Sequence, residues 1–295
     1  MPLNRRDFLA SAGALAGAAA LPAAAGATPP EPPKFKLGTI SYNIGATMDL
    51  ATLLRVCKAS GFEAVELRTT HAHKVEPDLS PDRRKEVRRQ IEDSGVRLWG
   101  FGSVCEFQAP DAAIVRKQIE DCKAFCALAA DLGAKGVKVR PNGLPKGVEP
   151  AKTLEQIGKA LQDCGRAAAD HGVEIFVEVH GGGTSLPQNM RTLMDHCGHP
   201  SVGVCWNSND TDVKDGSLKE AFDLLKKDIK SCHINDLWRP YPYRELFAGL
   251  TSIGYDRVTL MEVAGVPEDA KSKDPAAAAI RFMQYYKALW AELAR

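Results

Sequence analysis

The sequence predicts a single α/β domain, a closed (β/α)8 barrel of parallel strands. Eight short runs rich in Val, Ile and Phe alternate with eight longer helical patterns, which is typical of parallel α/β folds. Polar residues also follow the later runs, where such barrels carry their sites. An open doubly wound sheet is the main alternative. It would need a Gly-rich phosphate loop after the first strand, and ISYNIGA (40–46) is not such a loop.

The first 27 residues are predicted to be an export signal outside the fold. The twin arginine Arg5–Arg6 precedes a run of Ala, Gly and Leu, and small residues near Ala25 and Ala27 suit cleavage. Residues 28–34 (TPPEPPK) are predicted as a linker, so that the barrel spans 35–295. We therefore expect a periplasmic or secreted protein, exported folded by the twin-arginine route. The apolar run is too short for a good membrane span, so no membrane association is expected after cleavage.

Charge and cysteine content exclude several classes of protein. The chain has 38 Lys and Arg against 37 Asp and Glu, without a basic patch, so no nucleic-acid partner is expected. Its eight cysteines include no CxxC pair and are spread over predicted helices and strands. We expect them to be small buried hydrophobic residues rather than disulfides or zinc ligands. Assembly into a homo-oligomer is left open.

The predicted elements follow from the alternation of apolar runs, helix caps and glycine stops. The predicted strands are 35–45, 63–68, 96–104, 135–141, 173–183, 201–207, 229–236 and 257–263. The predicted helices are 47–60, 81–94, 112–132, 151–171, 188–197, 217–227, 243–254 and 275 to the end.

The fifth predicted strand, VEIFVEVHGGG (173–183), carries a polar side chain pair at its end. Alternate residues of a strand face the same side, so Glu178 and His180 lie opposite Val177 and Val179. The glycines at 181–183 are expected to leave room for something to approach the backbone.

The same alternation predicts a polar set inside the barrel. The inward residues at or near strand ends are Glu66, Arg68, Lys138, Arg140, Glu178, Asn207, His233, Asn235 and Glu262. Oxygen and nitrogen ligands from four successive strands suit one divalent cation, with Mn²⁺ or Mg²⁺ favoured and Co²⁺ or Zn²⁺ also compatible. The predicted ligands are Glu178, Asn207, His233 and Glu262.

Five motifs carry a family resemblance: GFEAVELR, HGVEIFVEVH, SVGVCWNSND, SCHIND and LMEV, in that order. With them the sequence resembles the xylose-isomerase-like TIM-barrel superfamily of sugar phosphate isomerases and epimerases, over nearly all of residues 35–292. The resemblance implies that a Glu, an Asp, a His and a Glu bind one metal, and these match Glu178, Asn207, His233 and Glu262. It also implies that Glu178 and Glu262 act as catalytic residues that move the proton. Asn207 departs from the family's Asp and brings no charge.

Further polar residues near the strand ends are candidates for substrate contacts. The predicted substrate-binding residues are His73, Glu106, Arg140, His180 and Asp210. Asp210 could restore the charge that Asn207 lacks, and His180 could substitute as a metal ligand.

The function expected from these residues is that of an exported, metal-dependent sugar isomerase or epimerase. It would act on a small sugar or sugar derivative by proton transfer next to the carbonyl, through an enediolate. A keto-sugar lyase or glycoside-cleaving enzyme would use the same carboxylates and stays open. A non-enzymatic sugar-binding protein with a degenerate metal site also stays open. An endonuclease-like barrel is disfavoured, because such barrels use three metals and many more histidine ligands than the seven histidines here can supply, and because the net charge is near zero.

Overall fold

Eight parallel strands close into a barrel in the order β1 to β8, with β8 paired to β1. This computed structural model describes residues 33–267 and 273–295. The predicted signal (1–27) lies outside the described residues, as does most of the predicted linker. The predicted (β/α)8 barrel is confirmed.

A helix follows each strand along the chain. The strands are β1 Lys36–Ile40, β2 Ala64–Arg68, β3 Arg97–Gly102, β4 Gly136–Val139, β5 Glu174–Glu178, β6 Val202–Asn207, β7 Ile229–Ile234 and β8 Val258–Met261. The helices are α1 Leu50–Ser60, α2 Pro81–Ser94, α3 Ala112–Leu132, α4 Pro150–Asp170, α5 Pro187–Cys197, α6 Lys219–Leu225, α7 Tyr243–Ser252 and α8 Pro275–Leu293.

Two predicted strands, the first and the fifth, have eleven residues where the structure has five. The first ends at Ile40. Asn43 has a φ of 59°, which a strand cannot contain, and it begins a 3-10 turn. The Asn43 side chain donates to the backbone oxygen of Val263 at 2.8 Å and so fixes this turn against the loop after β8. The fifth strand ends at Glu178, and the glycine segment that follows is a loop.

Helix α1 shows how local chemistry sets an element's end. It begins at Leu50, later than predicted, because the Asp49 carboxylate accepts the backbone N–H of Thr52 at 2.8 Å. It ends at Ser60 and is capped by Gly61, whose φ of 75° is the left-handed conformation that glycine favours.

The barrel interior below the strand ends is filled by an apolar plug, which consists of Ile40, Ala64, Trp99, Phe176, Cys205, Val258 and Leu260. Trp99 stacks on Phe176 with ring centroids 5.7 Å apart, and its Nε1 donates across the barrel to Ser231 Oγ at 3.0 Å. Trp99 is the unpaired residue of a bulge, since Leu98 pairs with Val65 and the next pair joins Gly100 to Glu66. A larger core lies between the strands and the helices.

All eight cysteines are buried and free, as expected of small hydrophobic residues. Among the described helices, none combines the length and the hydropathy needed to cross a bilayer.

Candidate active site at the carboxyl ends of the strands

Three ionisable side chains from β5, β7 and the end of β8 meet above the apolar plug. Glu178 ends β5, His233 lies in β7 and Glu262 directly follows β8. His233 Nδ1 is 3.1 Å from Glu262 Oε2 and 3.7 Å from Glu178 Oε1. One ligand atom from each residue lies within 4.8 Å of the other two. The barrel therefore brings together three of the four predicted metal ligands as a compact Glu–His–Glu group.

Glu178 is held by donors on both carboxylate oxygens. Lys138 Nζ lies 2.6 Å from Oε2, and Asn207 Nδ2 donates to Oε1 at 3.1 Å. Lys138 and Glu178 are both buried. Burial alone would raise the pKa of Glu178, but Lys138 and His233 outweigh it and hold this pKa well below its usual range. Glu178 is therefore an ionised carboxylate at neutral pH.

Glu66 lies on the other side of the His233 ring. Its Oε2 is 3.5 Å from His233 Nε2, and it is itself buried. A carboxylate beside Nε2 can hold a proton there, which would leave Nδ1 free to bind a cation, as in many histidine ligands of metals. Gly102 makes room for this contact, because a Cβ at that position would come within 2.9 Å of Glu66 Oε1.

The charges of the buried group fit a divalent cation. Three carboxylates, those of Glu66, Glu178 and Glu262, surround the buried Lys138, which pairs with Glu178. Burial would lower the pKa of His233, yet the surrounding negative groups, Glu262 and Glu66 among them, raise it well above its usual range. The site thus favours added positive charge beside Nδ1, which a bound cation would supply.

Asn207 does not present its oxygen to this group. Its Oδ1 accepts from Asn235 Nδ2 at 3.4 Å, while its amide nitrogen points to Glu178. The donor set that fits a metal directly is therefore Glu178, His233 and Glu262. Asn207 would become a fourth ligand only after rotation of its amide, which would remove its contact with Glu178.

A cavity of about 360 Å³ opens above the Glu–His–Glu group, a volume within the range of small-molecule sites. Glu178 and Glu262 line it, together with Lys138 and Asn207. A larger cavity of about 770 Å³ lies beside α1 and α8 and shares Asn43 with the first, but none of the four predicted ligands lines it.

Two of the predicted substrate-binding residues line the 360 Å³ cavity, Arg140 and His180. The Nδ1 atom of His180 is buried there without a hydrogen-bond partner among the described residues. Arg140 pairs with Glu106 at 3.1 Å. Glu106 itself does not line the cavity, and it also accepts from Asn142 Nδ2 at 2.8 Å.

The other two predicted substrate-binding residues are placed elsewhere. Both ring nitrogens of His73 form hydrogen bonds close by in the chain. Nε2 lies 2.8 Å from the backbone oxygen of Arg68, and Nδ1 accepts the N–H of Val75 at 3.0 Å. The Asp210 side chain is 86% exposed and pairs with Arg239 at 3.1 Å. Neither residue lines the cavity.

The glycines after β5 accommodate a neighbouring loop. Gly181 has a φ of 91°, and a Cβ there would lie 2.5 Å from the backbone carbon of Asn142. The backbone N–H of Leu144 also donates to the oxygen of Gly182 at 3.2 Å. The glycines were expected to leave room for a close neighbour, and the segment after β4 takes that room.

Strand alternation predicts Glu66 and Lys138 inside the barrel but does not pair them with Glu178 and His233. A signal was present, since a lysine on the inward face of a buried strand requires a carboxylate partner. Tyr42, which lines the cavity, and the role of Asn235 beside Asn207 were missed, because no residue pattern marks them.

The fold and the site define a (β/α)8 barrel with an acidic, histidine-containing centre at its carboxyl end. The chain belongs to the xylose isomerase-like TIM barrel family, whose sequence profile matches residues 54–286. A second profile, that of the twin-arginine translocation signal, matches residues 2–22. The chain therefore carries an export signal of this route, and the predicted periplasmic or secreted location is confirmed. No curated protein matches the chain at a significant level.

Solved structures of low sequence identity share the fold. D-psicose 3-epimerase from Clostridium cellulolyticum H10, solved with D-tagatose, has a TM-score of 0.72 at 14% identity, covering 87% of this chain and 99% of that one. The IOLI protein, solved with a zinc atom, has a TM-score of 0.73 at 17% identity over 88% and 98%. The 3-keto-D-glucoside 4-epimerase YcjR from E. coli has a TM-score of 0.68 at 14% identity over 86% and 99%.

Proposed function

We propose that this exported protein is a metal-dependent sugar isomerase or epimerase, which moves a proton on the carbon next to a sugar carbonyl. The observation that carries the proposal is the convergence of Glu178, His233 and Glu262 at a sugar-sized cavity, which both glutamates line. Membership of the xylose isomerase-like family and a shared fold with sugar epimerases support it.

Glu178, His233 and Glu262 would hold one divalent cation in this proposal, with Asn207 as a predicted fourth donor. Carboxylate oxygens with one imidazole suit Mn²⁺ or Mg²⁺, and Co²⁺ or Zn²⁺ are compatible. When bound, such a cation polarises the substrate carbonyl and stabilises negative charge that develops on its oxygen.

The two glutamates carry out the proton transfer. One carboxylate removes the proton beside the carbonyl, and the resulting enediol(ate) takes a proton back. Return to the neighbouring carbon gives isomerisation, whereas return to the same carbon from the other carboxylate inverts its configuration. Lys138 and Asn207 orient Glu178, because they bind its two oxygens at 2.6 and 3.1 Å. His180 offers its unpartnered Nδ1 to a substrate hydroxyl.

Proton exchange in D₂O tests this function. The metal-loaded protein, incubated with a panel of ketoses, aldoses and 3-keto-glycosides, should place deuterium beside the carbonyl, as followed by NMR. Glu178→Gln and Glu262→Gln should each slow exchange by about 100-fold or more, since general acid–base groups contribute on that scale. Glu155→Gln, which removes an exposed carboxylate of α4, is the matched control and should exchange normally.

Metal removal is the second arm of this test. Exchange should stop after chelation and return with Mn²⁺. Exchange that survives complete chelation, or that survives in both glutamine variants, contradicts the proposal. Release of a free aglycone in place of exchange identifies a cleaving enzyme, and binding without either reaction identifies a sugar-binding protein.

A further inference from the structure

Arg68 differs from the other cations that line the active-site cavity. Lys138 pairs with Glu178, Arg140 with Glu106 and Arg239 with Asp210. Arg68 lines the same cavity but forms no ion pair with a carboxylate among residues 33–267 and 273–295. An unpaired guanidinium inside a cavity is available to a ligand.

The Arg68 guanidinium is anchored along one edge only. Nη1 donates to the backbone oxygen of Thr69 at 3.2 Å and to Thr70 Oγ1 at 3.4 Å. It also lies 3.5 Å from His71 Nε2. Within the described part of the chain, Nε and Nη2 form no hydrogen bond. These two nitrogens are the side of the planar fork that binds a carboxylate with two parallel hydrogen bonds.

Neighbouring rings hold this fork in place. The Arg68 guanidinium carbon lies 5.2 Å from the centre of the Tyr42 ring, and Tyr42 stacks on His71 with centroids 6.2 Å apart. Burial, followed by the charge of Arg68, lowers the pKa of His71 to about 4, so its ring is neutral and can accept from Nη1. Ser41 Oγ lies 3.0 Å from His71 Nδ1 and accepts the backbone N–H of Arg68 at 2.8 Å. The guanidinium is thus preorganised before any ligand binds.

We propose that Arg68 binds a carboxylate on the substrate, so that the protein acts on an acidic sugar, a hexuronate or related sugar acid. This inference rests on the proposed function, because it assigns the substrate class of the same site. Arg68 lies two residues after Glu66 on β2, about 6.6 Å further towards the mouth. Arg68 shares the cavity with Glu178 and Glu262, so one sugar can place its carbonyl at the Glu–His–Glu group and its carboxylate at Arg68.

The free edge of Arg68 favours a carboxylate over a phosphate. One guanidinium matches one carboxylate in charge and in planar geometry. A phosphate dianion needs more donors, and the other cations that line the cavity already pair with carboxylates. The export signal also places the protein outside the compartment that holds phosphorylated sugars.

Calorimetric binding of defined sugars tests this assignment. The Mn²⁺-loaded protein is titrated with D-glucuronate and D-galacturonate, with the neutral parents D-glucose and D-galactose, and with their 6-phosphates. We expect at least one hexuronate to bind about 10- to 100-fold more tightly than its parent, the scale of a charge-assisted bidentate contact. Arg68→Gln should remove this preference, and Arg68→Lys should restore only part of it. Arg239→Gln is the control for charge at the same rim and should change the preference less than about twofold, since Arg239 is paired and exposed.

The outcomes separate this inference from the proposed function. The inference is overturned if hexuronates and their neutral parents bind equally, or if neither hexuronate binds. It is also overturned if Arg68→Gln keeps the preference for hexuronates. Tighter binding of the 6-phosphates overturns the carboxylate assignment. Equal effects of Arg68→Gln and Arg239→Gln would show long-range attraction rather than a specific contact. Proton exchange on neutral sugars together with any of these results leaves the proposed function standing. Hexuronate binding that depends on Arg68, without proton exchange on any sugar, overturns the proposed function alone.

Discussion

Replacing Lys138 by Met should destabilise the metal-free protein strongly. Lys138 Nζ lies 2.6 Å from Glu178 Oε2, and the two side chains are 9% and 3% exposed. Removing one partner of a buried pair leaves the other charge uncompensated, which costs about 3–5 kcal/mol. Glu66 and Glu262 also interact with Lys138, so the variant would bring three carboxylates together without a lysine. The loss is a large share of a stability of about 5–15 kcal/mol.

Urea unfolding with a chelator and with saturating Mn²⁺ measures this effect. The destabilisation should be largest with the chelator and should shrink with Mn²⁺, because a bound cation replaces the missing positive charge and stabilises the folded state by mass action. Lys159→Met is the matched control, since Lys159 also lies 2.6 Å from a glutamate, Glu155, but this pair is exposed on α4. Its stability should stay close to that of the parent.

Two results would refute this reasoning. A Lys138→Met protein as stable as Lys159→Met in the presence of chelator would show that the buried pair does not neutralise the site. A destabilisation that Mn²⁺ leaves unchanged would show that lysine and metal do not compensate the same charges. The double variant Lys138→Met/Glu178→Gln should recover part of the loss, because it removes the uncompensated charge.

Two further predictions concern stability. Burial raises the pKa of Asp212 to about 7, although the N–H of Asn209 and the O–H of Tyr241 lower it. The folded protein therefore holds a proton that the unfolded chain releases near its ordinary pKa of 3.8. Between these two pKa values, the parent's free energy of unfolding should fall relative to that of Asp212→Asn by about 1.4 kcal/mol per pH unit, and the difference should level off above pH 7. Urea unfolding at a series of pH values measures it. The same pH dependence in parent and variant would contradict the prediction. Gly181→Ala should lower the free energy of unfolding by about 1–3 kcal/mol in the same assay, because φ is 91° and a Cβ would meet the Asn142 backbone at 2.5 Å. Gly182→Ala should leave it unchanged, because a Cβ there would have open space around it. Equal effects at Gly181 and Gly182 would count against the loop contact.

The sequence predicts the barrel well because its signals are local. Apolar runs, caps such as Asp49 and stops such as Gly61 act within a few residues. The ends of β1 and β5 were wrong because contacts between distant segments decide them. Asn43 is tied to Val263, and Gly181 packs on Asn142.

Strand alternation also predicts which side chains point into the site. It placed Glu178, His233 and Glu262 on the inward side near the strand ends, and the structure brings them together. It could not predict the partner of Lys138, because that contact depends on side-chain conformation and on how adjacent strands are staggered. Loop residues such as His73 and Asp210 were the least predictable, since a loop's path is set by its own hydrogen bonds and its neighbours.

The apolar plug across the barrel limits how a substrate enters the active site and how a product leaves it. Trp99 and Phe176 fill the interior below the acidic group, and Trp99 is bonded across to Ser231. Within residues 33–267 and 273–295, a molecule therefore reaches the Glu–His–Glu group through the mouth between the loops. Reactant and product exchange through the same opening, so accumulated product should compete with fresh reactant. Any bulky group on the molecule must therefore point outward through the mouth.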